Sequence, residues 1–290
     1  MRADLPRYFL TITCPGRTGL VAAITGFLAE HECFITELSQ FDDLQTGRFF
    51  CRAEFRVPSS TVTHEVLDQA FAPVGERLAM MWRFIDPTIP CRTLVLVSKF
   101  DHCLNDLLYR QRTGELNIQM TTVASNHPDL KRLVEFHDIP YEVLPTGRSK
   151  LSTKALQEDR IRELMAEQSV DLVVLARYMQ ILSDELCREL AGRCINIHHS
   201  FLPSFKGAKP YHQAYERGVK AIGATAHYVT EHLDEGPIID QEVGRVDHTF
   251  GPDQLMAMGR NMENYALSRA VKAHSEHRVF LNGHKTVVLK

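Results

Sequence analysis

Asp171-Leu172-Val173-Val174-Leu175-Ala176 is a continuous apolar run that ends in a polar loop at Arg177. A strand with apolar residues pointing both ways belongs in the middle of a parallel sheet, where helices cover both faces. The segments around it alternate as that reading requires. Strands are predicted over 92–97, 119–124 and 141–144, and helices over 103–112, 130–137 and 154–168. The last helix carries Ile161, Leu164 and Met165 on one face. A further strand, Cys194-Ile195-Asn196-Ile197, leaves into a loop at His198, and 256–275 is a long final helix. The expected fold class is α/β, with a doubly wound, mostly parallel domain over residues 91–290.

The first ninety residues follow another order. Strands over 8–13, 34–40, 49–57 and 82–85 and helices over 19–30 and 63–81 make a βαββαβ unit, the ferredoxin-like split arrangement. Asp86-Pro87-Thr88-Ile89-Pro90 is a linker, which divides the chain into domains 1–86 and 91–290. Thr13-Cys14-Pro15-Gly16-Arg17-Thr18-Gly19-Leu20-Val21 resembles the opening of an ACT domain, a small regulatory module; the Asp common there is Thr13 here. The resemblance implies a regulatory or assembly domain, an amino-acid effector and a homo-oligomer. The same loop also reads simply as a cap on the first helix.

The formal net charge of −3, with both signs interspersed, argues against nucleic-acid and anionic-membrane partners. No run of about twenty apolar residues is present, and Met1-Arg2-Ala3-Asp4-Leu5-Pro6-Arg7 lacks the apolar core of a signal peptide. Seven cysteines without a C-x-x-C pair read as reduced thiols, so a cytoplasmic location is expected. Cys194 alternates onto the same side as Asn196 and is the thiol to check for reactivity.

Asn196 and His198 alternate with Ile195 and Ile197, so their side chains share one side of a strand end, where α/β sheets place their sites. Leu202-Pro203-Ser204-Phe205-Lys206-Gly207 follows, and Leu233-Asp234-Glu235-Gly236-Pro237 adds a carboxylate. An amide, an imidazole and a carboxylate suit a reaction that stabilises an oxyanion and moves a proton. Singly, each would be an ordinary turn or surface residue. Jointly, in this order, they resemble the signature of the formyltetrahydrofolate-dependent transferases and hydrolases, over roughly residues 90–285.

That resemblance implies that Asn196, His198 and Asp234 are catalytic and that a folate is the substrate, with no cofactor. The loop Arg177-Tyr178-Met179-Gln180-Ile181-Leu182-Ser183 matches the one that holds the pterin. Tyr178, Met179 and Ile181 are expected as apolar walls, with Leu233, Glu235 and Gly236 opposite and His227 as a supporting polar group. Arg177 either pairs with the glutamate tail or faces solvent. Phe100, residues 137–140 and His212 are further candidates. Histidines are dense at 198, 199, 212, 227 and 232, but no H-E-x-x-H or similar spacing appears, so no metal is expected.

The acceptor decides between transfer and hydrolysis. Ribonucleotide transformylases carry a glycine-rich loop after the first strand, whose bare amides cradle phosphate. Ser98-Lys99-Phe100-Asp101-His102-Cys103-Leu104 has no glycine, Asp101 repels phosphate and Phe100 fills space. Water is then the expected acceptor, and the reaction is hydrolysis of 10-formyltetrahydrofolate to tetrahydrofolate and formate, in support of one-carbon and purine metabolism. His199, in place of the Pro usual in the transformylases, and the ACT-like first domain both point to the deformylase branch. The alternatives are a formyltransferase with a small unphosphorylated acceptor and a folate-binding regulator with a dead site.

Overall fold

A computed structural model describes residues 5–144, 150–202 and 210–290. The chain divides into two compact units. One holds the chain up to Ile89 together with Glu276–Lys290, and the other is Pro90–Ser275.

The first unit contains β1 (Arg7–Pro15), α1 (Leu20–Glu30), β2 (Phe34–Asp43), β3 (Arg48–Arg56), α2 (His64–Arg77) and β4 (Met81–Ile85). The sheet order is β2-β3-β1-β4, antiparallel throughout, which is the expected ferredoxin-like arrangement. Leu10, Ile12 and Phe55 of the sheet bury against Ile24 and Leu28 of α1 and Leu67 and Phe71 of α2. Phe27 meets Phe71 edge-on with ring centres 4.9 Å apart. The sole tryptophan, Trp82, packs on Phe71 at 5.6 Å. It also lies so close to α2 that a Cβ at Gly75 would sit 2.3 Å from its ring.

The C-terminal boundary differs from expectation. Residues 276–290 do not continue the second domain. They form a hairpin, β12 (Val279–Asn282) and β13 (Lys285–Val288), that belongs to the first unit. The physical reason lies in β3, where Phe50 and Arg52 project from the face that α1 and α2 leave uncovered. Phe50 clusters with Phe280 and Leu289, Arg52 donates through Nε to the Glu276 carbonyl at 2.9 Å, and Asn282 donates to buried Asp43 at 2.6 Å.

The second unit runs β5 (Cys91–Val97), α3 (His102–Arg112), β6 (Ile118–Ser125), α4 (Lys131–Glu135), β7 (Tyr141–Val143), α5 (Lys150–Glu167), β8 (Leu172–Leu175), α6 (Asp184–Glu189), β9 (Cys194–His198), α7 (Pro210–Glu216), β10 (Ala221–Tyr228), β11 (Ile238–Arg245) and α8 (Pro252–Ser275). Its seven-stranded sheet has the order β11-β10-β9-β8-β5-β6-β7. β5 to β9 pair in parallel, and β10 and β11 close one edge antiparallel. β8 is buried at every residue, as its unbroken apolar run requires. The winding reverses between β5 and β8, so a crevice opens beyond the carboxyl ends of these strands. Among the described residues no helix is long and apolar enough to cross a membrane.

Candidate active site

β9 delivers Asn196 and His198 at its carboxyl end. Both are partly exposed, while Cys194, Ile195 and Ile197 are buried. Antiparallel pairing sets His227 of β10 directly opposite Asn196, and Thr225 opposite His198. The Thr225 hydroxyl donates to the Ser200 carbonyl at 3.0 Å and accepts from the Leu202 amide and from Gln241. These bonds hold the chain leaving His198 against β10. The rest of the expected 202–207 motif, from Pro203 on, lies outside the described residues, as does Lys209.

The hydrogen bonds decide the tautomers. His227 Nδ1 lies 2.9 Å from the Tyr228 carbonyl, which can only accept, so Nδ1 carries the proton. Burial, aided by His198, holds the His227 pKa below its ordinary value against the pull of that carbonyl and of Asp234. Its Nε2 is therefore a lone pair, and the Asn196 amide, 3.2 Å away, donates to it. This orients the Asn196 amide and leaves its second N–H for another acceptor.

Asp234 lies 3.2 Å from His198 Nδ1 and 3.8 Å from His227 Nε2. Burial pushes its carboxyl up, but the hydrogen bond from His198 and the three neighbouring histidines outweigh that and hold it below the usual range. Asp234 is thus a carboxylate that accepts from His198 Nδ1. His198 Nε2 is buried and has no hydrogen-bond partner among the described residues. It is the atom free to exchange a proton with a bound molecule.

The loop that carries Asp234 is shaped by close backbone approach. Asp234 has φ 57°, a left-handed conformation that Asp tolerates better than most residues. A Cβ at Gly236 would lie 1.7 Å from the Tyr228 carbonyl oxygen, so only glycine lets the loop close on β10.

Asn196, His198, His227 and Asp234 line a cavity of about 360 Å³ together with Arg177, Tyr178, Met179, Ile181 and Leu233. That size suits a small-molecule site. Glu235 and Gly236, expected in the same wall, do not line it. Gly236 acts through its packing, and the Glu235 amide closes a turn on the His232 carbonyl at 3.2 Å. Phe100, residues 137–140 and the exposed His212 are also absent from the lining. The Met179 amide donates to Ser98 Oγ at 3.0 Å, which ties the 177–182 loop to the end of β5. Cys194 is fully buried and its thiol pKa is pushed far up by burial, so it is not a nucleophile.

One constellation escaped the sequence reading. Glu263 of α8 is 1% exposed and accepts from His102 at 2.8 Å and from the Tyr211 hydroxyl at 2.9 Å. Arg177 Nε is 3.4 Å from the same carboxylate, and its guanidinium lies over the Phe100 ring at 5.3 Å. Burial raises the Glu263 pKa, but His102, Arg177 and Tyr211 together bring it below its ordinary value. A signal was available, since Glu263 interrupts the apolar face made by Leu255, Met262, Ala266 and Ala270. His102, Cys103 and Glu263 could in principle share a metal ion. The Cys103 thiol is raised well above its ordinary pKa by burial and by Glu263, and Arg177 already sits on the carboxylate, so the group is a poor cation site. Arg177 is therefore turned inward, its side chain 11% exposed, and not toward solvent.

The family profile described as Formyl transferase matches residues 91–271. The formyltetrahydrofolate deformylase of Corynebacterium sp. (strain P-1) is 51% identical over 284 residues, 98% of each chain. That of Escherichia coli (strain K12) is 42% identical over 99% of both chains. A crystal structure of formyltetrahydrofolate deformylase from Burkholderia mallei ATCC 23344 superposes with a TM-score of 0.92 at 49% identity, covering 98% of this chain and 100% of that one. A glycinamide ribonucleotide transformylase 1 from Symbiobacterium toebii, 29% identical, covers 69% of this chain and 95% of its own with a TM-score of 0.63. The chain belongs to the formyl transferase family, within its formyltetrahydrofolate deformylases.

Proposed function

We propose that this chain hydrolyses 10-formyltetrahydrofolate to tetrahydrofolate and formate, with Asn196, His198 and Asp234 as the catalytic set. The observation that carries the assignment of roles is the His198–Asp234 pair, 3.2 Å apart, with the opposite imidazole nitrogen unpartnered among the described residues. The Asp234 carboxylate orients His198 and takes the proton of the attacking water. The free N–H of Asn196 donates to the tetrahedral oxyanion. His198 Nε2 takes the second water proton, from the hydroxyl of the tetrahedral intermediate, and the imidazolium so formed delivers it to the leaving nitrogen. Tyr178, Met179, Ile181 and Leu233 form the pterin-side walls, and His227 fixes the Asn196 amide.

The finer readings follow from the same features. The first unit, with its βαββαβ sheet, serves regulation or assembly, with an amino-acid effector and a homo-oligomer as the expected forms. Free cysteines, several of them deeply buried, suit a reducing compartment such as the cytoplasm. The test is an assay of the purified full chain with 10-formyltetrahydrofolate alone, reading tetrahydrofolate and formate. Equal amounts of both, without an added acceptor, metal or nucleotide, support hydrolysis. Formyl transfer that begins only when an amine acceptor is supplied sinks it.

A further inference from the structure

Arg177 lies two residues beyond β8 and lines the cavity with Asn196, His198 and His199. Its backbone has φ 65°, a region that a long side chain enters only at a cost and that glycine enters freely. A strained arginine at the rim of a reaction cavity calls for a use of its guanidinium.

The guanidinium is held but not spent. Glu263 gives its oxygens to His102 and Tyr211 at 2.8 and 2.9 Å, and Arg177 Nε reaches the same carboxylate only at 3.4 Å. Among the described residues Nε has no hydrogen-bond partner and the Nη groups have no acceptor. Phe100 beneath the plane fixes its orientation at 5.3 Å. A planar fork of five donors, largely shielded from water and pre-oriented, is matched to a carboxylate. Burial, then Arg177 and His198, hold His199 down at about 4, so His199 is neutral at pH 7 and Arg177 is the cationic side chain it adjoins.

The proposed reaction makes one small carboxylate. Water adds to the formyl carbon, and the C–N bond breaks with its electron pair going to nitrogen, which takes one of the water protons. The formyl carbon keeps both oxygens, and the other proton leaves as the carboxylate forms. We propose that Arg177 is the docking group for that carboxylate, formate, with Glu263 and Phe100 as its positioning residues. This rests on the hydrolytic reading above.

The other carboxylate source is the glutamate tail of folate, and the experiment separates the two. Binding of 13C-formate to the full chain, without folate, is followed by NMR line broadening. Hydrolysis is measured against sodium formate with sodium chloride as the ionic control, using substrates with and without the glutamate tail. Wild type is expected to bind formate and to be inhibited by it. Arg177→Met is expected to need about tenfold more formate or higher for the same effect, as loss of charge-assisted bonds implies, with Arg177→Lys intermediate. Arg177→Gly, which relieves the backbone strain, keeps the test valid should the Met variant misfold. Formate sensitivity unchanged in folded variants overturns the proposal, as does absence of formate binding by wild type. A KM increase confined to the tailed substrate also overturns it, by assigning Arg177 to the tail. Failure of the hydrolytic reading is distinguishable, because it removes turnover while the NMR arm still reports on formate and Arg177.

Discussion

Asp234→Asn is the sharpest perturbation of the site. Asn keeps the shape, tolerates the left-handed backbone at φ 57° and can still accept from His198 Nδ1 at the observed 3.2 Å. What disappears is the charge. A hydrogen bond to an ionised group contributes about 1.5–3 kcal/mol, so a weaker neutral bond to the imidazolium formed during turnover costs roughly 10- to 100-fold in rate. Loss of the general base costs about a further 100-fold or more. Turnover should therefore fall by about 1,000-fold or more, with KM for the folate little changed. The carboxyl is 22% exposed, so its effect on stability is modest. Its folded pKa lies below the unfolded value. That contribution is thus full above the ordinary carboxylate range and lost as pH falls through the folded pKa. Wild type and variant should accordingly differ slightly in melting at neutral pH and converge in acid. The assay is steady-state formate release with circular dichroism as the folding control. Turnover within about tenfold of wild type in a folded variant would refute the role assigned to Asp234.

Three other outcomes are expected. Gly236→Ala puts a methyl 1.7 Å from the Tyr228 carbonyl oxygen, so the Asp234 loop must shift; turnover should fall about tenfold or more, and normal kinetics would show that the loop is not so constrained. His199, held at about 4 by burial, Arg177 and His198, has a folded pKa below its unfolded value of about 6.5. Stability should be full above that value and decline by roughly 3 kcal/mol as pH falls toward the folded pKa; urea unfolding of His199→Gln should show a flatter pH dependence, and parallel curves would reject it. Phe280→Ala should destabilise the first unit by about 2–4 kcal/mol by uncovering Phe50. Fluorescence of Trp82, the only tryptophan, reads that unit directly, and an unchanged unfolding midpoint would count against the hairpin as its cover.

Local signals accounted for much of the architecture. The unbroken apolar run around Val173 and Val174 could only be a central parallel strand, and the alternation at Ile195–Ile197 put Asn196 and His198 on one side. Strand and helix periods are properties of short windows, which is why both units were readable. The site trio was readable for another reason: its members occur in a family order, and the geometry brings Asp234 to His198. Glu235 and Gly236 were placed in the cavity wall by the same order, yet proximity in sequence does not say which way a loop residue faces.

What only the tertiary structure decided involves partners far apart in the chain. His102 and Glu263 are 161 residues apart, and no window joins them. The buried carboxylate was visible only as one polar break in an apolar helix face. Its meaning, a hub that turns Arg177 away from solvent and onto Phe100, depends on α8 packing against α3, α7 and β9–β11. The C-terminal hairpin is the same kind of case. Its short strands are ordinary by themselves, and only the uncovered face of β3, with Phe50 and Arg52, determines that they join the first unit and not the second. Sequence periodicity specifies which face of an element must be buried, whereas the identity of what buries it is set by long-range packing.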